Sequence, residues 1–170
     1  MKTAFWLVFA AMAAVYAMML FWTLPAITAD AGGLAPFDLR PLGYSFDEAK
    51  AFLSALSKYG RLLYRHVQLF LDLLYPALLA ATLILATILL TAPGWLRRLL
   101  IVPAVLGMVF DYLENFSIMR MLDAGPDALT ETLAGEASRW TILKSGFTTV
   151  SMVAVIALLV VWFVMRLRRA

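Results

Sequence analysis

Long apolar runs dominate the hydrophobic pattern of this chain. A bilayer core of about 30 Å needs about 20 mostly apolar residues in one helix, and four runs reach that length. They lie at residues 4–24, 67–91, 99–119 and 146–165. The pattern therefore predicts an all-α, polytopic membrane protein, a single four-transmembrane-helix bundle over residues 1–170. The predicted outer loops are 25–66 and 120–145.

The composition excludes other classes of protein. Hydrophobic residues make up 64% of the chain and charged residues 15%, whereas soluble domains are about half apolar and about a quarter charged. There is no cysteine and only one histidine, which excludes disulfides, thiolate metal sites and paired-imidazole haem ligation. We expect no metal ion, no cofactor and no nucleic-acid partner.

Charge predicts the orientation of the bundle. Six basic residues lie just beyond the ends of spans that would share one side of the membrane: Lys2, Arg97, Arg98, Arg166, Arg168 and Arg169. No acidic residue lies on that side. The eleven carboxylates lie in the opposite loops or inside the helices. The positive-inside rule then predicts a multi-pass protein of the cell inner (plasma) membrane with both termini in the cytoplasm.

The first apolar run has a second interpretation. Ala29-Asp30-Ala31 after the run resembles the cleavage site of a secretory signal. The run is about 20 residues long, whereas the apolar part of a signal is about 7–15 residues, so a retained helix is favoured. The other three spans are the same in both cases.

The first outer loop carries signals for a turn and a short helix. Proline and glycine in the segment 38–44 are typical of a turn. Ser45 followed by Glu48 forms a capping box, which predicts an amphipathic helix from Phe46. We expect this helix to lie at the membrane interface, between transmembrane helices 1 and 2.

Polar residues inside the spans are costly and usually face the bundle interior. In the second helix, arginines, Asp72 and Tyr75 recur at helical spacing, and Pro76 frees the backbone carbonyl of Asp72. By residue count, polar groups of three helices reach a similar depth, roughly 8–12 Å below the outer surface, and Tyr16 and Thr23 of the first helix can join them. The candidate polar pocket comprises Arg61, Tyr64, Arg65, Asp72, Asp111, Glu114, Asn115 and Lys144.

Two interpretations of this pocket stay open. The carboxylates can be balanced by Arg61, Arg65, Arg120 and Lys144 in a salt-bridge network that fixes helix order. The same groups can instead bind a lipid headgroup or a small metabolite, or perform acid–base chemistry. The phosphate-loop, zinc-protease and nucleophile-elbow motifs are missing from the sequence, so no residue is assigned as catalytic.

Several short motifs, taken in order, carry a resemblance. Asp38-Leu39-Arg40-Pro41-x-Gly43-Tyr44, Gly60-Arg61-x-x-Tyr64, Leu71-Asp72-x-x-Tyr75-Pro76, Asp111-x-x-Glu114-Asn115 and Leu143-Lys144 resemble a group of small, uncharacterised bacterial four-helix integral membrane proteins. The resemblance covers about residues 38–144. It implies a fold and a membrane location, and no reaction.

The sequence favours an accessory or scaffold subunit, or an assembly factor, of a larger membrane complex. Small size and short cytoplasmic loops without a catalytic domain support this hypothesis. The alternative is a stand-alone lipid- or metabolite-binding protein, or an enzyme, that uses the outer-side pocket. A transporter is disfavoured because the cytoplasmic halves of the spans lack ionisable residues.

Overall fold

In the computed structural model, residues 1–168 form an all-α membrane protein with four helices long and apolar enough to cross a bilayer. The four predicted spans are confirmed, and every helix is longer than its predicted span. Arg169 and Ala170 lie outside the described residues. The helices are α1 (Lys2–Asp30), α2 (Phe46–Ala55), α3 (Lys58–Leu90), α4 (Trp95–Ala128) and α5 (Glu131–Leu167).

All four spanning helices are longer than the hydrocarbon core of a bilayer, with 29 to 37 residues each. In α4, residues 95–124 form a regular helix of about 45 Å at 1.5 Å per residue, against a hydrocarbon core of about 30 Å. Gly125, with φ of +69°, then kinks the chain before the last residues of α4. At the end of the bundle opposite the chain termini, α3, α4 and α5 pack with residues 31–57. We call this assembly the cap. Most of the predicted outer loop 120–145 is therefore helical, and only residues 129–130 separate α4 from α5.

The core of the cap is aromatic. The ring centroid of Phe37 lies 4.9 Å from that of Phe52 and 4.7 Å from that of Tyr44, and Tyr64 completes the cluster, 6.1 Å from Phe52. Phe37, Phe52 and Tyr64 are fully buried. Because large buried rings dominate the energy of a small core, this cluster fixes the position of the segment that carries Phe37.

The predicted amphipathic helix is confirmed as α2. Its capping box is formed: Ser45 Oγ accepts from the Glu48 backbone N–H at 3.2 Å, and the Ser45 N–H donates to Glu48 Oε2 at 2.7 Å. Its apolar face, which includes Phe52 and Leu53, is fully buried against α4 and α5. The helix therefore packs on protein and forms part of the cap.

Within the bundle, α3 is the central helix. It contacts α1, α4 and α5, and 39% of its most apolar segment is buried, against 6% for α1. α4 and α5 approach closely at Gly107, where a Cβ would lie 2.8 Å from Thr148 Oγ1. α1 packs on α3, and a cleft remains between α1 and α5.

Two helices contain π-helical turns that face each other. These turns are Met19–Thr23 in α1 and Leu63–Gln68 in α3. Thr23 Oγ1 donates to Gln68 Oε1 across them at 2.5 Å. A π-helical turn holds one more residue than an α-helical turn, so the residues before it are rotated by about 100° relative to those after it.

Candidate functional site

A cavity of about 280 Å³ lies on the membrane side of the cap, between α1, α3 and α5. We call it the acidic cavity. Its charged and aromatic lining residues are Tyr16, Asp38, Asp72, Tyr75, Asp111 and Lys144. Serine and threonine side chains of α5 complete the polar wall. The cavity therefore combines three carboxylates with one ammonium group.

Lys144 balances one side of this cavity. Its Nζ lies 3.4 Å from Asp111 Oδ1 and forms an ion pair with Glu114. Thr141 Oγ1 donates to the other oxygen of Glu114. Glu114 is fully buried, and the side chain of Lys144 is 13% exposed. The ammonium group is thus held between two carboxylates.

Asp38 and Asp72 form the other side. The Tyr64 hydroxyl donates to Asp38 Oδ2 at 2.5 Å, and the side chains of Asp38 and Asp72 line the same cavity. Asp38 Oδ1 and Asp72 Oδ2 are buried and have no partner among the described residues. Two adjacent carboxylates repel unless a proton, a cation or a donor from a ligand lies between them. This pair is therefore the part of the cavity best suited to receive a donor.

Asn115 holds the two helices that carry the buried aspartates. Its Nδ2 donates to the backbone carbonyl of Asp72 at 2.9 Å and lies 3.4 Å from Asp111 Oδ1. The carbonyl is the one that Pro76 leaves without an intrahelical partner. A buried carbonyl without a partner is costly inside a membrane, and Asn115 supplies the missing donor.

The cap places Asp38 over the cavity. Its neighbour Phe37 is anchored in the aromatic core, and Arg40 donates two hydrogen bonds to the Ala35 carbonyl, at 2.9 and 2.8 Å. Gly43 supplies the left-handed turn, with φ of +85°. These contacts make the predicted turn a rigid support for the Asp38 carboxylate.

Tyr44 joins the turn to α5. Its N–H donates to Ser138 Oγ at 2.8 Å. Burial, and then the nearby Glu114 carboxylate, raise the pKa of the Tyr44 phenol above its ordinary value. The hydroxyl therefore stays protonated and neutral beside the buried carboxylate.

An apolar groove of about 370 Å³ continues from the cavity toward the chain termini, between α1, α3 and α5. Leu79 lines both spaces. Along α3 the groove extends from Leu79 to Leu90, about 16 Å at 1.5 Å per residue. The opposite wall is formed by Val155, Ile156 and neighbouring residues of α5. A polar chamber thus adjoins an apolar channel of about half the bilayer thickness.

Six of the eight residues of the candidate polar pocket come together. Asp72, Asp111 and Lys144 line the cavity, and Tyr64, Glu114 and Asn115 contact those residues or Asp38. Tyr16 also lines the cavity, where its ring stacks on that of Tyr75 at 5.5 Å. Thr23 instead binds Gln68.

Arg61 and Arg65 lie elsewhere. Arg65 Nε binds Asp123 Oδ1 at 3.0 Å, and Arg61 lies against the Leu53 carbonyl and Gly125. The helical spacing used for the sequence prediction assumed a regular α-helix, and the π-helical turn of α3 rotates both arginines away from Asp72. Of the basic partners in the predicted network, only Lys144 reaches the buried carboxylates; Arg120 pairs with Glu136 at 3.7 Å.

Sequence reasoning missed Asp38 and Thr141 as members of the site. Asp38 lies in a loop 34 positions before Asp72, so no helical period relates the two residues. Thr141 lies one helical turn before Lys144 on the same face of α5. That spacing could have identified Thr141 from the sequence.

The donor set does not converge on a metal ion. Within residues 1–168, no three acidic, histidine or cysteine side chains are arranged to hold one. Comparison of the chain with protein-family models, with curated proteins and with solved structures gives no match.

Proposed function

We propose that this protein binds an amphiphile in the cleft between α1 and α5. The polar head lies in the acidic cavity, and the apolar tail lies in the adjoining groove. The observation that carries this proposal is that the two spaces adjoin at Leu79, which lines both. Their volumes, about 280 and about 370 Å³, are similar to those of ligand sites, about 300–1,000 Å³.

The charges of the cavity select the head. Asp38, Asp72, Asp111 and Glu114 face a single ammonium group, that of Lys144. The unpartnered oxygens of Asp38 and Asp72 can accept hydrogen bonds from a bound ligand. A head that donates, an ammonium group or a set of hydroxyls, satisfies them, whereas a phosphate or sulfate group is repelled.

The proposed orientation places the cap on the non-cytoplasmic side of the plasma membrane. This orientation is supported by the basic residues beyond the spans at the end of the bundle opposite the cap. The positive-inside rule places such residues in the cytoplasm. The amphiphile would then have its head toward the non-cytoplasmic surface and its tail toward the bilayer centre, as lipids of that leaflet do.

The accessory-subunit hypothesis is a weaker account of this geometry. A salt-bridge network that only fixes helix order needs no cavity, and no apolar channel beside it. The binding hypothesis explains why two adjoining spaces lie between α1 and α5. We therefore favour binding over a purely architectural role.

The proposal is tested by native mass spectrometry of the protein released gently from its own membranes. Ile156 is 59% exposed and lines the groove, so Ile156→Trp fills the groove without disturbing the polar head site. Val153 is equally exposed but does not line the groove, and Val153→Trp is the matched control. We expect wild type and Val153→Trp to retain one amphiphile with an amine or hydroxyl head, and Ile156→Trp to lose it.

Selectivity for the head is measured with three probes that share a dodecyl chain: dodecylamine, dodecyl glucoside and dodecyl sulfate. We expect the amine or the glucoside, and not the sulfate, to displace the retained amphiphile, and Asp72→Asn to weaken that displacement. A wild-type protein without an amphiphile, or equal retention by Ile156→Trp, contradicts the proposal. Release only with larger partner proteins supports the accessory-subunit hypothesis instead.

A further inference from the structure

A second pair of adjoining spaces lies on the other side of α3, between α3 and α4. A basin of about 360 Å³ at the cap end is lined by Lys58, Arg61, Arg65 and His66. A groove of about 560 Å³ runs from the basin along the two helices. Arg65 and His66 line both spaces. We propose that this basin and groove bind one anionic phospholipid, with its phosphate in the basin and an acyl chain in the groove.

The charge of the basin supports a phosphate. Its lining residues include three cationic side chains and the histidine, against the single carboxylate of Asp123. Asp123 is 57% exposed and binds Arg65 through Nε at 3.0 Å and Nη2 at 3.4 Å. Guanidinium and ammonium groups bind phosphate oxygens through strong charge-assisted hydrogen bonds.

The basin is a built feature of the cap. Arg61 is held in place because its Nη2 lies 3.5 Å from the Leu53 carbonyl. A Cβ at Gly125 would lie 3.0 Å from Arg61 Nη1, so the glycine makes room for the guanidinium group. The π-helical turn of α3 also directs Arg65 to this side. Local helix geometry thus gathers the cations at the mouth of the groove.

The groove fits an acyl chain of the leaflet on the cap side. Its walls are apolar, with Leu69, Leu73, Phe116 and Met119 among the lining residues. From Arg65 to Leu73 it extends about 12 Å toward the bilayer centre. The Tyr112 hydroxyl donates to the Leu73 carbonyl at 3.1 Å and closes the far end. Head and tail therefore follow the direction of a lipid whose phosphate lies at the cap-side surface.

The test is lipid binding to the delipidated full chain, followed by native mass spectrometry with phosphatidylglycerol or phosphatidylcholine of identical acyl chains. We expect phosphatidylglycerol to bind about tenfold more tightly, and this preference to fall as salt is raised. Lys58→Gln combined with Arg65→Gln removes two cations from the basin, and we expect the preference to disappear. Equal binding of the two lipids by wild type, or an unchanged preference in the double variant, overturns the proposal.

Two further variants test the groove and separate the two sites. Leu73 is 55% exposed and lines the groove, so Leu73→Trp should weaken the binding of both lipids; Leu74 is 42% exposed and lies outside it, so Leu74→Trp should not. Asp72→Asn alters the acidic cavity and should leave phosphatidylglycerol binding unchanged. Equal effects of Leu73→Trp and Leu74→Trp, or loss of phosphatidylglycerol in Asp72→Asn, refute a separate lipid site.

Discussion

Replacing Lys144 by methionine removes the single ammonium group of the acidic cavity. Methionine keeps much of the apolar stem, so the change acts mainly on charge. At the 3.4 Å separation from Asp111, the attraction of two unit charges is about 5 kcal/mol at an effective dielectric of about 20. Glu114, fully buried, loses its partner as well. Removal of one member of a buried ion pair costs about 3–5 kcal/mol, and we expect that loss of unfolding free energy for Lys144→Met.

The measurement is equilibrium unfolding in a mild detergent, followed by tryptophan fluorescence. Of the five tryptophans, Trp140 lies one helical turn from Lys144, and the ring of Phe110 stacks on that of Trp140 at 5.8 Å. Trp140 therefore contributes a signal from this region. Glu114→Gln in the Lys144→Met background removes one of the unpaired charges. We expect the double variant to be about 2 kcal/mol more stable than the sum of the single effects.

Two results would refute this reasoning. A Lys144→Met protein as stable as wild type would mean that the ion pairs contribute nothing net. Strict additivity of the two substitutions would mean that Lys144 and Glu114 do not interact energetically. Either result would also remove the basis for treating the cavity as a charged site.

Three further changes test the cap and the helix contacts. Gly60→Ala should cost about 1–3 kcal/mol, because a Cβ at this position would overlap the Asp30 carboxylate. Asn115→Leu should cost about 1–3 kcal/mol, because the Asp72 carbonyl loses its donor. Burial raises the pKa of Tyr44 above the ordinary value of about 10. The contribution of the neutral phenol to stability is therefore complete below about pH 10 and is lost as the pH rises further. Tyr44→Phe should reduce this loss of stability at alkaline pH. Unfolding in detergent measures all three, the last between pH 9 and pH 11.

Each of these predictions has a matched control. A Cβ at Gly135 meets nothing within 4 Å, so Gly135→Ala should not destabilise the protein. In a Pro76→Ala background the Asp72 carbonyl regains a helical donor, so Asn115→Leu should cost less there. Tyr59 is 68% exposed, and Tyr59→Phe should leave the free energy of unfolding unchanged. If a control behaves like its test variant, the corresponding explanation is wrong.

The sequence predicts the membrane fold well because the signal is strong and local. An apolar run of about 20 residues has few other stable outcomes, and the capping box at Ser45 locates α2 to the residue. The full length of the helices beyond the bilayer was not predicted, and 120–145 was assigned to an outer loop. Polar residues in 120–145 resemble a loop, yet Ala134 and Ala137 are buried in the core of the cap. Tertiary packing decides that outcome, and hydropathy does not report it.

The candidate site was predictable only where helices are regular. Asp111, Glu114 and Asn115 follow simple α-helical spacing, and they lie together near Lys144. The arginines of α3 do not lie near Lys144, because a π-helical turn changes the direction of their side chains. No residue in Leu63–Gln68 distinguishes such a turn from an α-helix in a single sequence. Asp38 depends on the folding of a whole loop onto the cap, which helical spacing cannot describe.

The distribution of the site over the chain has a consequence for biogenesis. Translation delivers the segments from the N-terminus onward, so Asp111 and Glu114 reach the membrane before their partner Lys144 does. Until α5 inserts, these carboxylates lack their cation, at a cost of about 2.5–3.5 kcal/mol for each charge near the bilayer centre. Ser138, which holds the cap loop through Tyr44, arrives equally late. Insertion of the last helix therefore completes the cavity and the cap together. A nascent chain interrupted before Lys144 leaves the Asp111 and Glu114 carboxylates unpaired, and membrane quality-control proteases can recognise such a chain.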